Sequence, residues 1–535
     1  MTLNLASLYE AVAAAIPDRI AVICNDVELS YADLDRRANR VANHLIAAGI
    51  TPGEHVGLHA QNSLAYVESL LGVLKARAVP ININYRYTGH ELQYLFADAD
   101  LVAVIASGAY APHSADLKPQ LPKLRHIMVV ADEHGTVEDT DWPDGLTAVD
   151  YETALAEAGD TTPPTDQRSA DDLFILYTGG TTGMPKGVVW RHEDFYFAAL
   201  VGGNRYGPPH RSAEALVAAA VERTEQMVNM VSAPLMHGAA MYAMLTAFYS
   251  GSKVVLLPRF DALDVLRRID RHGVNVVQLV GDATARPIVD AIKQHPGEFD
   301  LSSVRVLGSG GAILSPSVQD DLRAAMPQAR VATTFGSSET GADGALEMAP
   351  DGTMRMPASP TAAVLNDRLE PVSVGTGELG FVARRGHVPL RYYNAPEKSA
   401  ATFPVIDGER WSIVGDLAEV ATDGTIIIHG RGSGTINSGG EKVFPEEVEQ
   451  ALKAHPGVMD CLVAGVADAR FGERVGAVVE LRPEAAGTDP EEIRQFCRGT
   501  LAGYKVPAVV KIVDAVLRSP TGKADYRWAK RQLNP

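Results

Sequence analysis

LYTGGTTGMPKGVVW, residues 176–190, sets four glycines, three threonines, a proline and a lysine between two apolar runs. That density of small residues and hydroxyls around one positive charge asks for a ligand rich in anionic oxygens. Two familiar nucleotide loops do not fit. The pattern G-x-x-x-x-G-K-[ST] fails because Lys186 follows Pro185 and precedes Gly187. The dinucleotide fingerprint fails in the second glycine-rich stretch, GSGGAI from Gly308, where Ile313 stands in place of the third glycine. What remains is a loop following the strand-like run LFILY. Its glycines, Gly180 among them, let backbone approach closely, and its amides can form an anion nest. Thr178, Thr181 and Thr182 add hydroxyl donors and Lys186 a point charge. A triphosphate is the expected occupant.

The rest of the chain bounds this reading. At 535 residues it is too long for one compact core, so two or more domains are expected. Hydrophobic content of 46% and charged content of 21% describe an ordinary globular protein. A net charge of -18 argues against any sequence-independent grip on nucleic acid or anionic membrane, which need clustered Lys and Arg. Cys24, Cys461 and Cys497 are far apart and odd in number, which suits a reducing cytosol and gives no disulfide framework. The opening MTLNLASLYEAVAAAIPDR lacks a basic leader, and Leu5, Leu8, Val12 and Ile16 recur at helical spacing. SLAYVESLLGVLKARAVPI from Ser63 is interrupted by Glu68, Lys75 and Arg77, so no membrane span is expected and the cytoplasm is the expected location. His55 and His59 have no third ligand nearby, which leaves a zinc site without support.

Strand-like and helix-like segments alternate, predicting an α/β fold with largely parallel sheets. Leu34, Ala38, Val41 and Leu45 give one helix face, closed by Gly49. KVVLL from Lys253, NVVQLV from Asn275 and VRVL from Val304 are continuous apolar runs that fit strands covered on both faces. After Glu378 the texture changes to ELGFVARRG and DGTIIIHG, as expected of a smaller antiparallel sheet or barrel. The glycine-rich stretch GRGSGTINSGGEK from Gly430 separates this body from an α+β tail with a helix expected over 445–454 and strands at CLVAGV and VGAVVEL. The expected architecture is therefore a large N-terminal domain, 1–430, with a small β-barrel-like subdomain, followed by a small mobile domain, 431–535.

YTGGTTGMPKG resembles the phosphate loop of the AMP-forming acyl-adenylating superfamily, which includes acyl-CoA synthetases, peptide-synthetase adenylation domains and firefly-type luciferases. Four further segments match in the family's order: TTFGSSETG from Thr333, SIVGDLAEV from Ser412, GRGSGTINSGGEKVFPEEVE from Gly430 and SPTGKADYR from Ser519. The resemblance covers essentially the whole chain. It implies that a carboxylate attacks the α-phosphate of ATP, pyrophosphate leaves, and the acyl adenylate passes to the thiol of CoA. It implies Thr178, Gly180, Thr181, Thr182 and Lys186 on the β and γ phosphates, and Glu339 as ligand to a magnesium ion shared with phosphate oxygens. Thr334, Phe335 and Gly336 would lie along the adenine, with Phe335 stacking and Ser338 bonding the α-phosphate, where relatives more often have Tyr and Thr. Gly310, Gly311 and Ala312 would let adenine lie against backbone, and Asp416 and Arg431 would take the ribose hydroxyls. Lys523 would bridge the carboxylate and α-phosphate during adenylation. A rotation of the small domain would then withdraw it and bring the segment around Gly439 and Gly440 to the pantetheine tunnel.

This chain departs from the family in three places. Ser433 and Gly434 stand at the pivot, Asn437 where lysine is frequent, and Gly179 replaces the usual serine of the phosphate loop. The acyl pocket implied by the resemblance lies between PLMHGAAMY from Pro234, VGDAT from Val280 and GSGGA, with His237 as a gate beside the carboxylate. Small residues dominate there, and with Asp282 as the one acidic residue to check, an apolar acid is expected. The loop, the polar insertion from Tyr206 to Gln226 and the hinge together resemble actinobacterial acyl-CoA synthetases acting on steroid side-chain carboxylates and long fatty acids. A ligase loading a carrier protein and a noncatalytic nucleotide sensor are the alternatives. The expected partners are the acid, ATP and CoA, with a homodimer as the expected assembly.

Overall fold

The computed structural model describes residues 2–87, 89–164, 166–178, 184–205, 207–349, 353–431, 434–438, 441–468, 472–501, 503–518 and 524–534, with backbone alone at 431, 437, 441, 442 and 472. Three sheets organise the chain. In the largest, of 14 strands, Ile20–Cys24, Lys253–Leu256, Val228–Val231, Val276–Leu279, Val306–Gly310 and Arg330–Ser337 run parallel. Beyond Arg330–Ser337 the same sheet turns antiparallel through Gly341–Met348, Met354–Met356, Ile426–Arg431, Glu409–Val420 and Gly380–Arg385 to the edge strand Ala362–Leu365. Of the two forms open to the segment after Glu378, the antiparallel sheet is the one present. Its strand order runs on from the parallel half and does not close into a barrel among the described residues.

The second sheet has eight strands. Val79–Asn82, His55–His59, Leu101–Ser107, His126–Val130 and Thr147–Asp150 are parallel to Leu173–Thr178, which folds back on Lys186–Arg191 as an antiparallel hairpin. Between the two sheets lies the main core, filled by the helices Leu5–Ala15, Tyr31–Ala47, Leu64–Lys75 and Gly238–Tyr249. Leu34, Ala38, Val41 and Leu45 are fully buried, as their spacing predicts, and Ser30 and Asp33 close a capping box at the start of that helix. The outer face of the large sheet is covered by Ala262–His272, Gly281–Gln294 and Pro316–Ala325.

The apolar segment from Ser63 is a core helix. Lys75, which interrupts it, is buried with its ammonium 2.8 Å from Glu10, 2.7 Å from Asp35 and 2.8 Å from Asn39. A charge held this way is paired on every side, as a buried ion must be. No described helix is long and apolar enough to cross a membrane.

The third sheet is formed by Glu441–Val443, Ile436–Ser438, Gly472–Leu481, Val458–Asp468 and Val509–Val513. It packs on Pro445–Lys453, Pro490–Arg498 and Tyr526–Leu533 around a core of its own. This is the α+β tail expected from the sequence, with its first helix one residue shorter than the expected 445–454.

Candidate active site

The parallel strands of both body sheets end at one large cleft of about 2480 Å³. That exceeds the roughly 300–1,000 Å³ of a single small-molecule site, so the space accommodates more than one ligand. Carboxyl ends of parallel strands are where α/β sheets leave such openings.

Thr178 and Lys186 are directly opposed at the base of the hairpin, and both line the cleft. Gly180, Thr181 and Thr182 lie outside the described residues. Lys186 reaches over the ring of Tyr392, its ammonium 4.8 Å from the centroid, in cation–π contact. Burial, then the nearby Lys398 ammonium, lowers its pKa from the usual lysine range, and the Glu339 carboxylate opposes them. Tyr392 in turn donates from its hydroxyl to Oε1 of Glu339 at 2.8 Å. The sequence reading did not single out Tyr392. It arrives because Arg391–Tyr392 pairs with Lys186–Arg191, register Tyr392 to Val188.

Glu339 sits in the turn between Arg330–Ser337 and Gly341–Met348, which hydrogen bonds from within and from neighbouring elements hold. The Trp190 indole donates to the Ser338 carbonyl at 3.1 Å, Ser412 Oγ donates to the Glu339 carbonyl at 2.8 Å, and the Glu339 amide donates to Ser337 Oγ at 3.2 Å. Gly336 is required where the strand bulges, since a Cβ there would stand 2.1 Å from the Gly341 carbonyl oxygen. Thr334, Phe335, Gly336 and Ser338 all line the cleft beside it. Thr334 pairs with Gly310 across the sheet, which brings Gly310, Gly311 and Ala312 alongside. Gly311 has φ +85, a left-handed conformation that a side chain would strain.

Asp416 is buried and lines the cleft on the antiparallel half of the sheet, in register with Arg431, of which the backbone alone is described. His237 precedes the helix Gly238–Tyr249 and lines the cleft as well. Its position is set by two buried asparagines that the sequence did not flag. Asn82 donates to the Tyr177 carbonyl at 2.8 Å and the Met236 carbonyl at 2.6 Å, and accepts from the Tyr177 amide at 2.7 Å. Asn62 holds the neighbouring turn through the Ala233 carbonyl at 3.0 Å and the Leu235 amide at 2.7 Å.

Asp282 offers no charge to an amino acid's ammonium. Its carboxylate accepts from the Ser315 amide at 2.8 Å and from Lys453 Nζ at 3.0 Å. Burial works against the Lys453 ammonium, but Asp282 and Asp460 outweigh it and hold the group above its ordinary range. Through this pair the C-terminal unit closes over the cleft. Arg518 and Ala524, which bridge on either side of residues 519–523, line it. Lys523, Gly439 and Gly440 lie outside the described residues, as does Ser433.

A single carboxylate at Glu339 fits a magnesium ion, which keeps most of its shell as water and phosphate oxygen. Among the described residues no cluster of three or more metal-ligating side chains competes for that role.

Comparisons with known proteins agree with this architecture. The model of the AMP-binding enzyme family matches residues 9–393, and that of the AMP-binding enzyme C-terminal domain matches residues 447–523. The chain is 44% identical over 539 residues to a medium/long-chain-fatty-acid–CoA/3-oxocholest-4-en-26-oate–CoA ligase of Mycobacterium tuberculosis, covering 99% of this chain and 96% of the relative. It is 43% identical over 545 residues to a 3-oxocholest-4-en-26-oate–CoA ligase of Rhodococcus rhodochrous, again covering 99% and 96%. Among solved structures, ATP-bound MatB from Rhodopseudomonas palustris superposes with a TM-score of 0.81 at 26% identity, covering 99% of both chains. The anthranilate CoA ligase AuaEII with anthranoyl-AMP shares the fold, with a TM-score of 0.83 at 23% identity over 99% of this chain and 97% of that one. A cleft assembled from the ends of two α/β sheets and overlain by a small α+β unit, a family match over most of the length and full-length relatives at this identity have one meaning: the chain belongs to the AMP-binding enzyme family.

Proposed function

We propose that this chain is an acid–thiol ligase that joins an apolar carboxylic acid to AMP and then to CoA, releasing pyrophosphate and AMP. The observation that carries the reading is the chain of contacts from Lys186 through Tyr392 to Glu339, beside a glycine-floored wall and beneath the C-terminal unit. A carboxylate is a poor acyl donor because its oxygen is a poor leaving group, and adenylation turns that oxygen into part of a good one. The site must then offset charge on both sides of the α-phosphorus.

In this reading Thr178, Gly180, Thr181, Thr182 and Lys186 hold the β and γ phosphates, with Tyr392 keeping the ammonium and the Glu339 carboxylate apart and oriented. Glu339 would hold a magnesium ion, which would supply charge neutralisation at the phosphates. Gly310, Gly311, Ala312, Thr334, Phe335 and Gly336 take the adenine, Ser338 the α-phosphate, Asp416 and Arg431 the ribose. His237 borders the reacting carboxylate, and Lys523 meets it and the α-phosphate from the other side. Residues 1–430 act as the adenylating body and 431–535 as the mobile unit, with Gly439 and Gly440 serving the thiol step.

The names of the relatives favour steroid side-chain acids and medium or long fatty acids as substrates. The small residues along one face of Gly238–Tyr249 support an apolar chain rather than an amino acid, as does the neutralised Asp282. A homodimer in the cytoplasm completes the proposal and is read by sedimentation and cell fractionation. Acid-dependent exchange of labelled pyrophosphate into ATP, followed by thioester formation with CoA, tests the central claim. Exchange without thioester, relieved by a holo-carrier protein, would assign a carrier-loading ligase, and no exchange with any acid would sink the reading.

A further inference from the structure

The acyl side of the cleft carries hydrogen-bonding groups that an unadorned hydrocarbon would leave idle. One wall is a face of the large sheet. Val231, Gln278 and Gly308 stand side by side on adjacent strands, and all three line the cleft. Their neighbours Val277, Leu279 and Leu307 point into the opposite core. Gln278 is the one polar side chain in its strand, and its amide orientation is fixed, because Nε2 donates to the Leu279 carbonyl at 2.9 Å. Oε1, buried, has no hydrogen-bond partner among the described residues. Beside it Gly308 has no atom within 4 Å of where a Cβ would stand, so the oxygen adjoins open space.

The second wall is the helix Gly238–Tyr249, from which Ala239, Ala243, Thr246 and Ala247 line the same cleft. Thr246 is 6% exposed, and its Oγ1 has no hydrogen-bond partner among the described residues. A helical threonine ordinarily turns its hydroxyl to a carbonyl of the preceding turn, and this one does not. Unpartnered oxygens buried in a cleft wall are costly unless a ligand or water meets them, and Tyr242 Oη, on the same helix, is a third such atom.

We infer that this channel selects carboxylic acids whose carbon skeleton bears a hydroxyl, which donates to Gln278 Oε1, with Thr246 Oγ1 as the second polar group of the same pocket. The inference rests on the proposed acyl-activating function and narrows its substrate class. The unpartnered atom of Gln278 is Oε1, which can only accept. A ketone or a plain methylene cannot satisfy it, whereas a hydroxyl can. Gln278 is level with Gly308, two residues short of Gly310 along the strand direction, which is about 7 Å at the usual strand rise. The favoured hydroxyl therefore stands away from the adenine wall, and moving the substituent along the chain locates it.

The test compares long-chain fatty acids with their hydroxy and keto counterparts, the substituent moved stepwise along the chain, by kcat/KM for pyrophosphate release. The expected result is a preference of about 10-fold for the hydroxy acid over both counterparts at one stretch of the chain, the size of one good hydrogen bond. In Gln278→Met, of similar volume, the ratio falls towards one. In Thr246→Val it falls less. A flat profile in the native enzyme, or a preference that survives Gln278→Met, overturns the inference while leaving acyl activation standing. Failure of every acid to support pyrophosphate release would overturn the functional reading and this inference with it. Thermal melting of the variants separates loss of fold from loss of preference, and the native profile alone decides the matter if a variant does not fold.

Discussion

Two junctions of this molecule are built from opposite materials. Where the body sheets meet the cleft, the fixing contacts are neutral: Asn82 clamps the Leu173–Thr178 strand to the turn before His237, and Asn62 clamps that turn to the Leu257 carbonyl at 2.8 Å. Where the C-terminal unit meets the body, the contacts are charged. Lys453 stands 3.0 Å from Asp282 and Arg482 lies 4.0 Å from Asp290 across the junction, while inside the C-terminal unit Asp460 backs Lys453 at 3.5 Å and accepts from Arg518 at 2.7 Å. A buried amide satisfied on three sides has no second arrangement. An ion pair between two separable surfaces has one, because water can solvate both ends when they part. The first junction suits a preorganised nucleotide floor and the second suits a contact that is made and broken.

The comparison breaks hardest at Lys523, the group proposed to cross from the mobile unit to the reacting phosphorus. Lys523→Ala should slow acid-dependent pyrophosphate exchange roughly 100- to 1000-fold, the loss expected for one preorganised oxyanion donor. Thioester formation from preformed acyl adenylate and CoA should persist within a few-fold. Equal loss in both half-reactions would mean that the lysine holds structure and not the adenylation step.

Next in size is the neutral junction. Asn82→Ala strands the Tyr177 amide and two carbonyls in a buried place, and the unfolding free energy should fall by about 2–3 kcal/mol. Chemical denaturation measures it, and an unchanged midpoint would show that the clamp is dispensable. The charged junction should respond differently. Asp282→Asn leaves Lys453 with Asp460 and lets the C-terminal unit swing to solvent, so the body's unfolding midpoint should hold. Single-turnover adenylation should drop about 10-fold as the closed arrangement loses about 1–2 kcal/mol, less than the full penalty for an isolated buried charge. Adenylation at the native rate would remove the contrast between the two junctions.

Much of the fold was legible because its signals are local. The runs at Lys253 and Asn275 became parallel strands, and the spacing of Leu34, Ala38, Val41 and Leu45 became a buried helix face. The VRVL run was legible as a strand but not in extent: the strand is Val306–Gly310, and it continues through GSG. Gly308 and Gly310 are in the strand, and no atom stands within 4 Å of where a Cβ of Gly308 would be. The parts of the site that stayed hidden depend on distant pairing. Tyr392 meets Lys186 and Glu339 only through a two-residue strand laid beside Lys186–Arg191. Asn62 and Asn82 look like turn formers in sequence, and their burial between carbonyls is a tertiary fact. Gln278 had a signal, a lone amide inside the apolar NVVQLV, which apolar periodicity alone could not interpret.

The smallest effect expected lies at the loop that opened the reading. Gly179 stands where related loops usually carry serine, so this chain presents one hydroxyl fewer to the departing pyrophosphate. In the proposed arrangement Thr178, Thr181 and Thr182 supply donors and Lys186 supplies charge, so the missing group would be one among several and not the anchor. Gly179→Ser should therefore tighten the apparent affinity for ATP by only a few-fold, about 0.5–1 kcal/mol for a hydrogen bond that competes with water. The acid's KM should not move, since the loop is proposed to face the phosphates alone. Titrating ATP at saturating acid reads the first quantity and titrating acid at saturating ATP the second. A fall in ATP affinity would mean that glycine at 179 is demanded by the backbone, and that the loop achieves its grip through close approach of its amides rather than through hydroxyls.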